Sequence, residues 1–510
     1  MKPSSDLYAL IHTLSSTEKN YIKKYAGVYS KSKHNYSKLL EAIHKQEEYD
    51  EKALLIKFRK ESFVKHFAVA KNQLMELILK LLRQFHQKNS IHATINAATE
   101  NARLLYERGL FSLAFKQLDK AHKLAEEHHI YSYSEEVLDL KRHFITQMQA
   151  ADWREEVEEL LQKKENILQA ELEYVSYARI YYQLLFLMRQ NYVLRSKKET
   201  NKVDEILPNG QLAEPKYPNY FYNQLFYLNN KNAYSILHQN TAQAVLVMRE
   251  IIALWERHPR LIQSEPERYM AALNNYTNCV INNNEYVDLE YLNSKTDLIN
   301  QDKPRMEALV FESSMLWRIT SAASQRKYDN LILLVEEIEL TLPRLKDNIQ
   351  AVRYFMFTRY TAYFHFMWGN YQQSLKYLEA ALALKQIELR QDLQMFSNML
   401  YLFIHYHLGN NVFLYNAIKN YRRKIKKKGL LYDLEDFQLR LLSKLCNVPD
   451  KTMLHKQLDA FQKELTAMVA ENPSVNFIMQ QHLSLHEWIE SIRQNCTVID
   501  YLKKNPPKLS

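Results

Sequence analysis

Glycine is very scarce in this chain, with six residues among 510, where average usage of about 7 % would supply roughly six times as many. Because glycine provides the positive φ angles of tight turns, its scarcity argues against a fold rich in β-hairpins. The two closest glycines, Gly409 and Gly429, lie 20 positions apart. This spacing excludes the G-x-G-x-x-G, P-loop and G-x-S-x-G motifs, and with them the nucleotide-binding and hydrolase chemistry that those motifs support.

Cysteines and long apolar runs are also few. The three cysteines, Cys279, Cys446 and Cys496, are odd in number and far apart, so they form neither a CxxC pair nor a disulfide framework. No run approaches the ~20 apolar residues that cross a bilayer. The N-terminus has too short an apolar stretch for a signal peptide. We therefore expect a cytoplasmic protein without a membrane partner.

The residues that are abundant favour helix. Leu, Ala, Glu, Lys and Gln are plentiful, and all of them are good helix formers. The hydrophobic fraction of 46 % is that of a globular protein and not of a disordered one. The composition therefore predicts an all-α fold.

Three segments of the chain share one pattern, an apolar helix, a glycine turn and a second helix. They are LLYERGLFSLAFKQLDKAHKLA (104–125), HFMWGNYQQSLKYLEAALAL (365–384) and HYHLGNNVFLYNAIKNY (405–421), with Gly109, Gly369 and Gly409 at the turn. In the first two segments the glycine is followed at fixed offsets by an aromatic, a small residue, a leucine and an alanine: Phe111, Ala114, Leu118 and Ala121, and Tyr371, Ser374, Leu378 and Ala381.

This pattern resembles the tetratricopeptide repeat (TPR), whose small residues let two helices pack closely. Weaker copies recur at a step of about 42 residues, one helical turn longer per helix than the family's 34. Their turn positions are Phe111, Trp153, Thr241, Tyr286, Tyr328, Tyr371 and Asn411. The resemblance implies a right-handed α-α superhelix, a TPR-like solenoid of about eight helix pairs.

The repeat array is expected to occupy residues 91–445, with an irregular loop at 208–219 where three prolines and Gly210 cluster. Residues 1–90 are predicted to form four or five shorter helices, the last spanning 67–86. We interpret them as an N-terminal cap, and a small helical DNA-binding unit carrying Lys19, Lys23 and Lys24 is the alternative. Residues 446–510 are predicted to be C-terminal capping helices and a tail.

The resemblance implies a concave groove that binds a protein or peptide. In its register, Asn274, Asn278 and Asn282 lie at i, i+4 and i+8 on the groove-lining helix face. An asparagine amide offers a donor and an acceptor, which complements the peptide groups of an extended ligand. The alternative is that they are ordinary polar residues on an exposed face. The same register adds five further candidate peptide-binding residues: Arg103, Tyr106, Thr320, Arg359 and Tyr363.

The net charge of +10 has one concentrated source, Arg422, Arg423, Lys424, Lys426, Lys427 and Lys428. Cations at the C-terminus of a helix interact favourably with its dipole, and this is the favoured interpretation. The alternative is a patch that binds the phosphates of nucleic acid. We therefore predict a protein-binding scaffold, and the alternative is a regulator that couples partner binding to nucleic-acid binding through this run or the N-terminal helices.

No residue pattern in the sequence indicates catalysis. His482, His486 and Glu490 share one helical face and could approach a divalent ion. Their order differs from the H-E-x-x-H motif, and a chance pair is expected among 18 histidines. We therefore predict that the protein is not an enzyme and has neither a metal nor another cofactor.

Overall fold

The computed structural model describes residues 5–25, 33–87, 90–148, 153–190, 197–208, 212–283, 285–299, 304–325, 327–345, 348–384, 391–446, 448, 450–472, 475–476, 478–479 and 483–505. Throughout these ranges the regular secondary structure is helical, and none of it is strand. The all-α prediction is confirmed. No helix in the described part of the chain combines the length and apolar character needed to span a membrane.

The chain divides into two compact units, Met1–Gln169 and Ala170–Ser510. Among its described residues, the N-terminal unit contains a short 3-10 helix (Ser62–His66) and eight complete α-helices: α1 (Asp6–Thr13), α2 (Ser16–Tyr25), α3 (Lys33–His44), α4 (Glu51–Lys57), α5 (Phe67–His86), α6 (Ile91–Glu107), α7 (Phe111–Glu127) and α8 (Tyr131–Met148). The boundary between the units falls within α9 (Trp153–Gln190). The division expected at residues 90 and 445 is a different one and stays a prediction.

The C-terminal unit contains the rest of α9 and sixteen further helices in the residues described: α10 (Lys197–Ile206), α11 (Phe221–Leu237), α12 (Thr241–Glu256), α13 (Pro259–Ser264), α14 (Pro266–Asn282), α15 (Leu289–Thr296), α16 (Pro304–Ser324), α17 (Tyr328–Leu345), α18 (Ala351–Met367), α19 (Tyr371–Leu382), α20 (Gln391–His407), α21 (Asn411–Lys427), α22 (Asp433–Leu445), α23 (Lys451–Glu471), α24 (Leu485–Arg493) and α25 (Val498–Lys504). Helices next to each other in sequence pack together through most of this unit.

The described part of residues 1–90 is helical and its last helix is α5, as predicted. The start of α2 is a capping box, in which the Glu18 amide donates to Ser15 Oγ at 3.2 Å and the Ser15 amide donates to Glu18 Oε2 at 2.8 Å. These two bonds satisfy amides that a helix start leaves without intrahelical partners. Burial of Ile11, Ile43 and Ile78 closes a core among α1, α3 and α5.

Three of the helical hairpins turn at the glycines identified in the sequence. Gly109, Gly369 and Gly409 have φ angles of 72°, 79° and 71°. In each turn the amide after the glycine donates back to a carbonyl five residues earlier, as from Asn370 to His365 at 2.8 Å. This bond belongs to the Schellman motif, which ends a helix with one residue in the left-handed region and therefore favours glycine.

The small residues of the pattern lie where paired helices meet. Ala114 and Ser374 are fully buried, and the Ser374 hydroxyl donates to the Ala362 carbonyl at 2.6 Å across the α18–α19 hairpin. Leu118 and Leu378 are also fully buried. A larger side chain at the small positions would push the two helices apart.

Most positions of the 42-residue step begin a helix. The residues Phe111, Trp153, Thr241, Tyr328, Tyr371 and Asn411 open α7, α9, α12, α17, α19 and α21. Tyr286 does not. It lies exposed between α14 and α15, because Asp288 caps α15 by accepting a bond from the Tyr291 amide at 2.9 Å.

The proline-rich stretch contains no helix over residues 212–219. Pro208 lies just after α10, and 209–211 lie outside the described part. Within the C-terminal unit, α9 holds this loop. The Tyr177 hydroxyl donates to the Ala213 carbonyl at 2.9 Å, and the Glu173 carboxylate accepts from the Lys216 amide at 2.8 Å. These bonds replace the backbone partners that a helix or sheet would supply.

Candidate functional site

Asn274 was predicted to face a ligand, but it is buried between two helices. Its side chain is 5 % exposed. Its Nδ2 donates to Ser313 Oγ at 3.1 Å and its Oδ1 accepts from Trp317 Nε1 at 2.8 Å. Both partners belong to α16, which packs over this face of α14. The prediction for Asn274 is corrected: both ends of its amide hold two helices together.

Asn278 and Asn282 lie one and two turns further along α14 and are half-buried. The three asparagines therefore do not form one exposed row, because the first of them, Asn274, is buried. Peptide binding by the remaining two residues stays a prediction.

The predicted residues of the N-terminal unit, Arg103 and Tyr106, both have partners within that unit. Arg103 forms ion pairs with Glu100 and Glu136, each at 3.5 Å. The Tyr106 ring stacks on Phe144 with a centroid distance of 3.8 Å. The Arg103 side chain is exposed, whereas the Tyr106 ring packs against Phe144 of α8.

The remaining three candidate peptide-binding residues also have internal contacts. Thr320 donates to the Leu316 carbonyl of its own helix at 2.7 Å. Arg359 is 4 % exposed, and its guanidinium lies 5.0 Å from the ring centroid of Phe396. Burial raises the pKa of Tyr363, which lies one turn after Arg359. The exposure predicted for Arg359 is corrected: α20, which carries Phe396, covers it.

Of the histidine pair considered as a metal site, the described residues include only His486, and its Nδ1 contacts a glutamine side chain. His482 lies outside the described part. His486 Nδ1 is 2.6 Å from Gln462 Nε2, and Glu490 pairs with Arg493 at 2.7 Å. The described residues contain no group of three or more potential His, Cys, Asp or Glu ligands.

A basic groove lies among α21, α22 and α23 and has a volume of about 510 Å³. Six cationic side chains line it: Lys419, Arg422, Arg423, Lys426, Arg440 and Lys444. Three of these belong to the run at 422–428 that the sequence singled out. Lys424, Lys427 and Lys428 of that run lie outside the groove lining.

The helical period explains this division of the run. Tyr415, Lys419, Arg422 and Lys426 follow one another at steps of four, three and four residues, which places them on one face of α21. The opposite face carries Lys424, Lys427 and Lys428 into solvent, all three exposed. Helix α21 is anchored through Leu414, Ile418 and Ile425, which are buried.

Two carboxylates position part of the groove. Asp436 accepts from Arg422 and, at 2.9 Å, from Arg440 Nε. Glu464 of α23 also accepts from Arg440, and this bond is the main reason that the pKa of Arg440 is raised. Lys419, Lys426 and Lys444 form no ion pair with another described residue. Six cations with these two carboxylates give the groove a net positive charge.

The groove also has an apolar side. Ile418, Leu439 and Phe461 lie beneath the cations and are at most 6 % exposed. Towards the start of α21 the same helix exposes Val412 and Tyr415, at 83 % and 55 %. The surface therefore passes from apolar at the helix start to cationic at its end.

Three cations of the groove, Lys419, Arg440 and Lys444, were not among the residues predicted from the sequence. The helical period could have identified Lys419, because it lies one turn before Arg422 and Arg423. Arg440 and Lys444 come from another helix, and only the packing of α22 against α21 brings them to the groove.

Comparison of the chain with known protein families, curated proteins and solved structures finds no match.

Proposed function

We propose that this chain is a binding protein, not an enzyme, whose helical hairpins are TPR-like repeats and whose basic groove holds an anionic segment of a partner. The supporting observation is the groove itself, where cations from two helices converge over an apolar floor. The cytoplasmic location expected from the cysteine pattern belongs to the same proposal.

Hydrogen bonds within the protein hold two of the groove cations in place, which supports a preformed binding site. Asp436 and Glu464 restrain Arg422 and Arg440, whose hydrogen bonds reduce the side-chain freedom that a ligand would otherwise have to restrict. The exposed cations Lys419, Arg423, Lys426 and Lys444 retain capacity to pair with a ligand. Attraction by such a patch is screened by salt within about 10 Å at 0.1 M ionic strength.

The helical hairpins support the scaffold part of the proposal. Their glycine turns and buried small residues make each pair of helices a compact unit. Compact hairpins present side chains on fixed helix faces, which suits binding better than loops that must first become ordered.

The run at 422–428 supplies both a test and its matched control. The groove variant carries Lys419→Glu, Arg423→Glu and Lys426→Glu, and the control carries Lys424→Glu, Lys427→Glu and Lys428→Glu. Both variants change the net charge by the same amount, and their residues lie on α21 or, for Lys428, at its C-cap. Circular dichroism and melting temperature first establish equal folding.

The probes are fluorescein-labelled poly-glutamate and a labelled single-stranded RNA, followed by anisotropy at several salt concentrations. We expect the groove variant to lose at least about tenfold in affinity, or 1.4 kcal/mol, for whichever probe the wild type binds. The control should lose much less. Equal losses in the two variants, or no binding by the wild type, would overturn the proposal.

Nucleic acid is the second candidate for the anionic partner, because exposed Tyr415 lies one turn before Lys419 on the groove face. An aromatic ring beside cations can stack a base while the cations contact phosphates. Preferential RNA binding, with affinity that falls linearly in log salt, would support this candidate.

A further inference from the structure

Resting on the proposed function, we infer that the occupant of the basic groove is an acidic amphipathic helix of a partner protein, with its apolar end on Val412 and Tyr415. The inference depends on the order of side chains along α21 and on the carboxylates already present in the groove.

The exposed face of α21 has two chemically different halves. Val412 and Tyr415 form the apolar half, and both are exposed in the first turns of the helix. Lys419, Arg423 and Lys426 form the cationic half in the next turns. An exposed apolar surface next to a charged one favours a ligand that has both characters in the same order.

The length of this face matches a short helix. Val412 and Lys426 are 14 residues apart, or about 21 Å along the helix axis at 1.5 Å per residue. A partner helix of similar length can place apolar side chains against the first half and carboxylates against the second. Acidic residues at i, i+4 and i+7 would meet the cations of α21, which have nearly the same spacing.

Carboxylates within the groove disfavour a phosphate chain. Asp436 and Glu464 lie on α22 and α23 and pair with Arg422 and Arg440. A nucleic-acid backbone carries a charge at every phosphate and would have some of them beside these carboxylates. A peptide carries discrete charges and can leave the positions near Asp436 and Glu464 neutral.

The apolar residues beneath the cations also favour a peptide over a nucleic acid. Ile418 and Phe461 can contact an aliphatic side chain that enters the groove between the cations. Burying an apolar side chain there removes its surface from water, which favours binding. A phosphate has no apolar group to place on this floor, and a ribose carries hydroxyl groups that would lose water there.

The test compares four labelled probes by anisotropy. The first is a 16-residue helical peptide with leucines at one end and glutamates at i, i+4 and i+7 on the same face. The second has the same composition in scrambled order, the third has glutamine for each glutamate, and the fourth is a 16-nucleotide single-stranded RNA. We expect the first peptide to bind at least about tenfold more tightly than each of the others.

Protein variants separate the apolar half from the cationic half. The double variant Val412→Ser, Tyr415→Ser should weaken binding of the first peptide by about tenfold. Its control is Leu340→Ser on α17, since Leu340 is 81 % exposed and lies away from the groove lining. Unchanged circular dichroism and melting temperature show that both variants are folded.

The outcomes distinguish this inference from the proposed function. Equal binding of the ordered and scrambled peptides, or stronger binding of the RNA through the groove cations, overturns the amphipathic helix and retains an anion-binding groove. Absence of binding by all four probes overturns both. Loss of peptide binding in the double variant but not in Leu340→Ser supports the inference.

Discussion

The indole Nε1 of Trp317 donates a hydrogen bond of 2.8 Å to the amide Oδ1 of Asn274. Trp317 is fully buried and Asn274 nearly so, so each side chain satisfies a polar group that water does not reach. The Asn274 Nδ2 completes the network by donating to Ser313. This network joins α14 to α16 beside an apolar cluster of the C-terminal unit that includes Leu273 and Trp317.

Removal of this amide should destabilise the protein. The variant Asn274→Ala leaves the Trp317 indole and the Ser313 hydroxyl without partners, at a cost of about 1–3 kcal/mol for each buried group. Chemical denaturation should show a loss of about 2–6 kcal/mol in the free energy of unfolding. Asn278→Ala on the same helix is the control and should change it by less than about 1 kcal/mol. Equal losses would contradict this account.

Two further buried asparagines, Asn223 and Asn230, join α11 to the backbone of α9. Asn230 Nδ2 donates to the Tyr177 carbonyl at 3.0 Å, and Asn223 Nδ2 donates to the Ala170 carbonyl at 2.9 Å. Asn223 and Asn230 are seven positions apart on α11, and their partners Ala170 and Tyr177 are seven positions apart on α9. Because a helix nearly repeats its orientation after seven residues, these bonds fix the register of α11 against α9.

We expect Asn230→Ala to lower the free energy of unfolding by about 1–2 kcal/mol, through the lost bond and the small cavity. Asn229→Ala is the neighbouring control, and its half-buried side chain should tolerate alanine. Urea denaturation measures both changes. A smaller effect at Asn230 than at Asn229 would show that the bond to α9 contributes nothing.

Two glycine turns should respond differently to alanine. Gly369 and Gly409 both have a positive φ angle, so each substitution strains the backbone by about 1–2 kcal/mol. A Cβ at Gly369 would also lie 3.0 Å from Thr497 Cγ2, whereas a Cβ at Gly409 would have no described atom within 4 Å apart from its own chain neighbours. Gly369→Ala should therefore lower the melting temperature more than Gly409→Ala does. Adding Thr497→Ser, which removes the crowding methyl group, should recover the difference.

The stability of the protein should decrease in acid partly through His407. Burial lowers the pKa of His407 to about 4, against about 6.5 in an unfolded chain. The folded protein therefore keeps the imidazole neutral while the unfolded chain takes up a proton. The contribution of His407 to stability is present above pH 6.5 and is lost as the pH falls from 6.5 towards 4.

The variant His407→Gln separates this contribution from that of other titrating groups, since glutamine does not titrate and can still accept from Trp488 Nε1, as His407 Nε2 does at 3.0 Å. Between pH 7 and pH 4.5 the wild type should lose about 2 kcal/mol more stability than the variant. Urea denaturation at both values measures this difference. Parallel losses in the two proteins would show that His407 does not titrate between them.

Local features of the chain were predictable from the sequence because they depend on neighbouring residues. The helix 67–86 agrees with α5 to the residue, and the Ser15–Glu18 box begins α2 as its pattern indicates. The turns at Gly109, Gly369 and Gly409 follow from the positive φ angle that few other residues adopt. The pattern Ser264-Glu265-Pro266-Glu267 predicts Ser264 as the N-cap of a helix, and this prediction is wrong. Ser264 ends α13, and Glu265 precedes α14, which starts at Pro266 without a side-chain cap.

The candidate site depended on the tertiary structure. A helical period shows that Asn274, Asn278 and Asn282 share a face, but it does not show that α16 covers the first of them. The same period relates Lys419 to Arg423 and Lys426, while only packing brings Arg440 and Lys444 to the same groove. The sequence alone therefore determined the all-α class, the bounds of α5, three of the turns and the charge of α21. Which faces stay open to a partner depends on contacts between residues far apart in the chain, and a pattern within one helix carries no information about them.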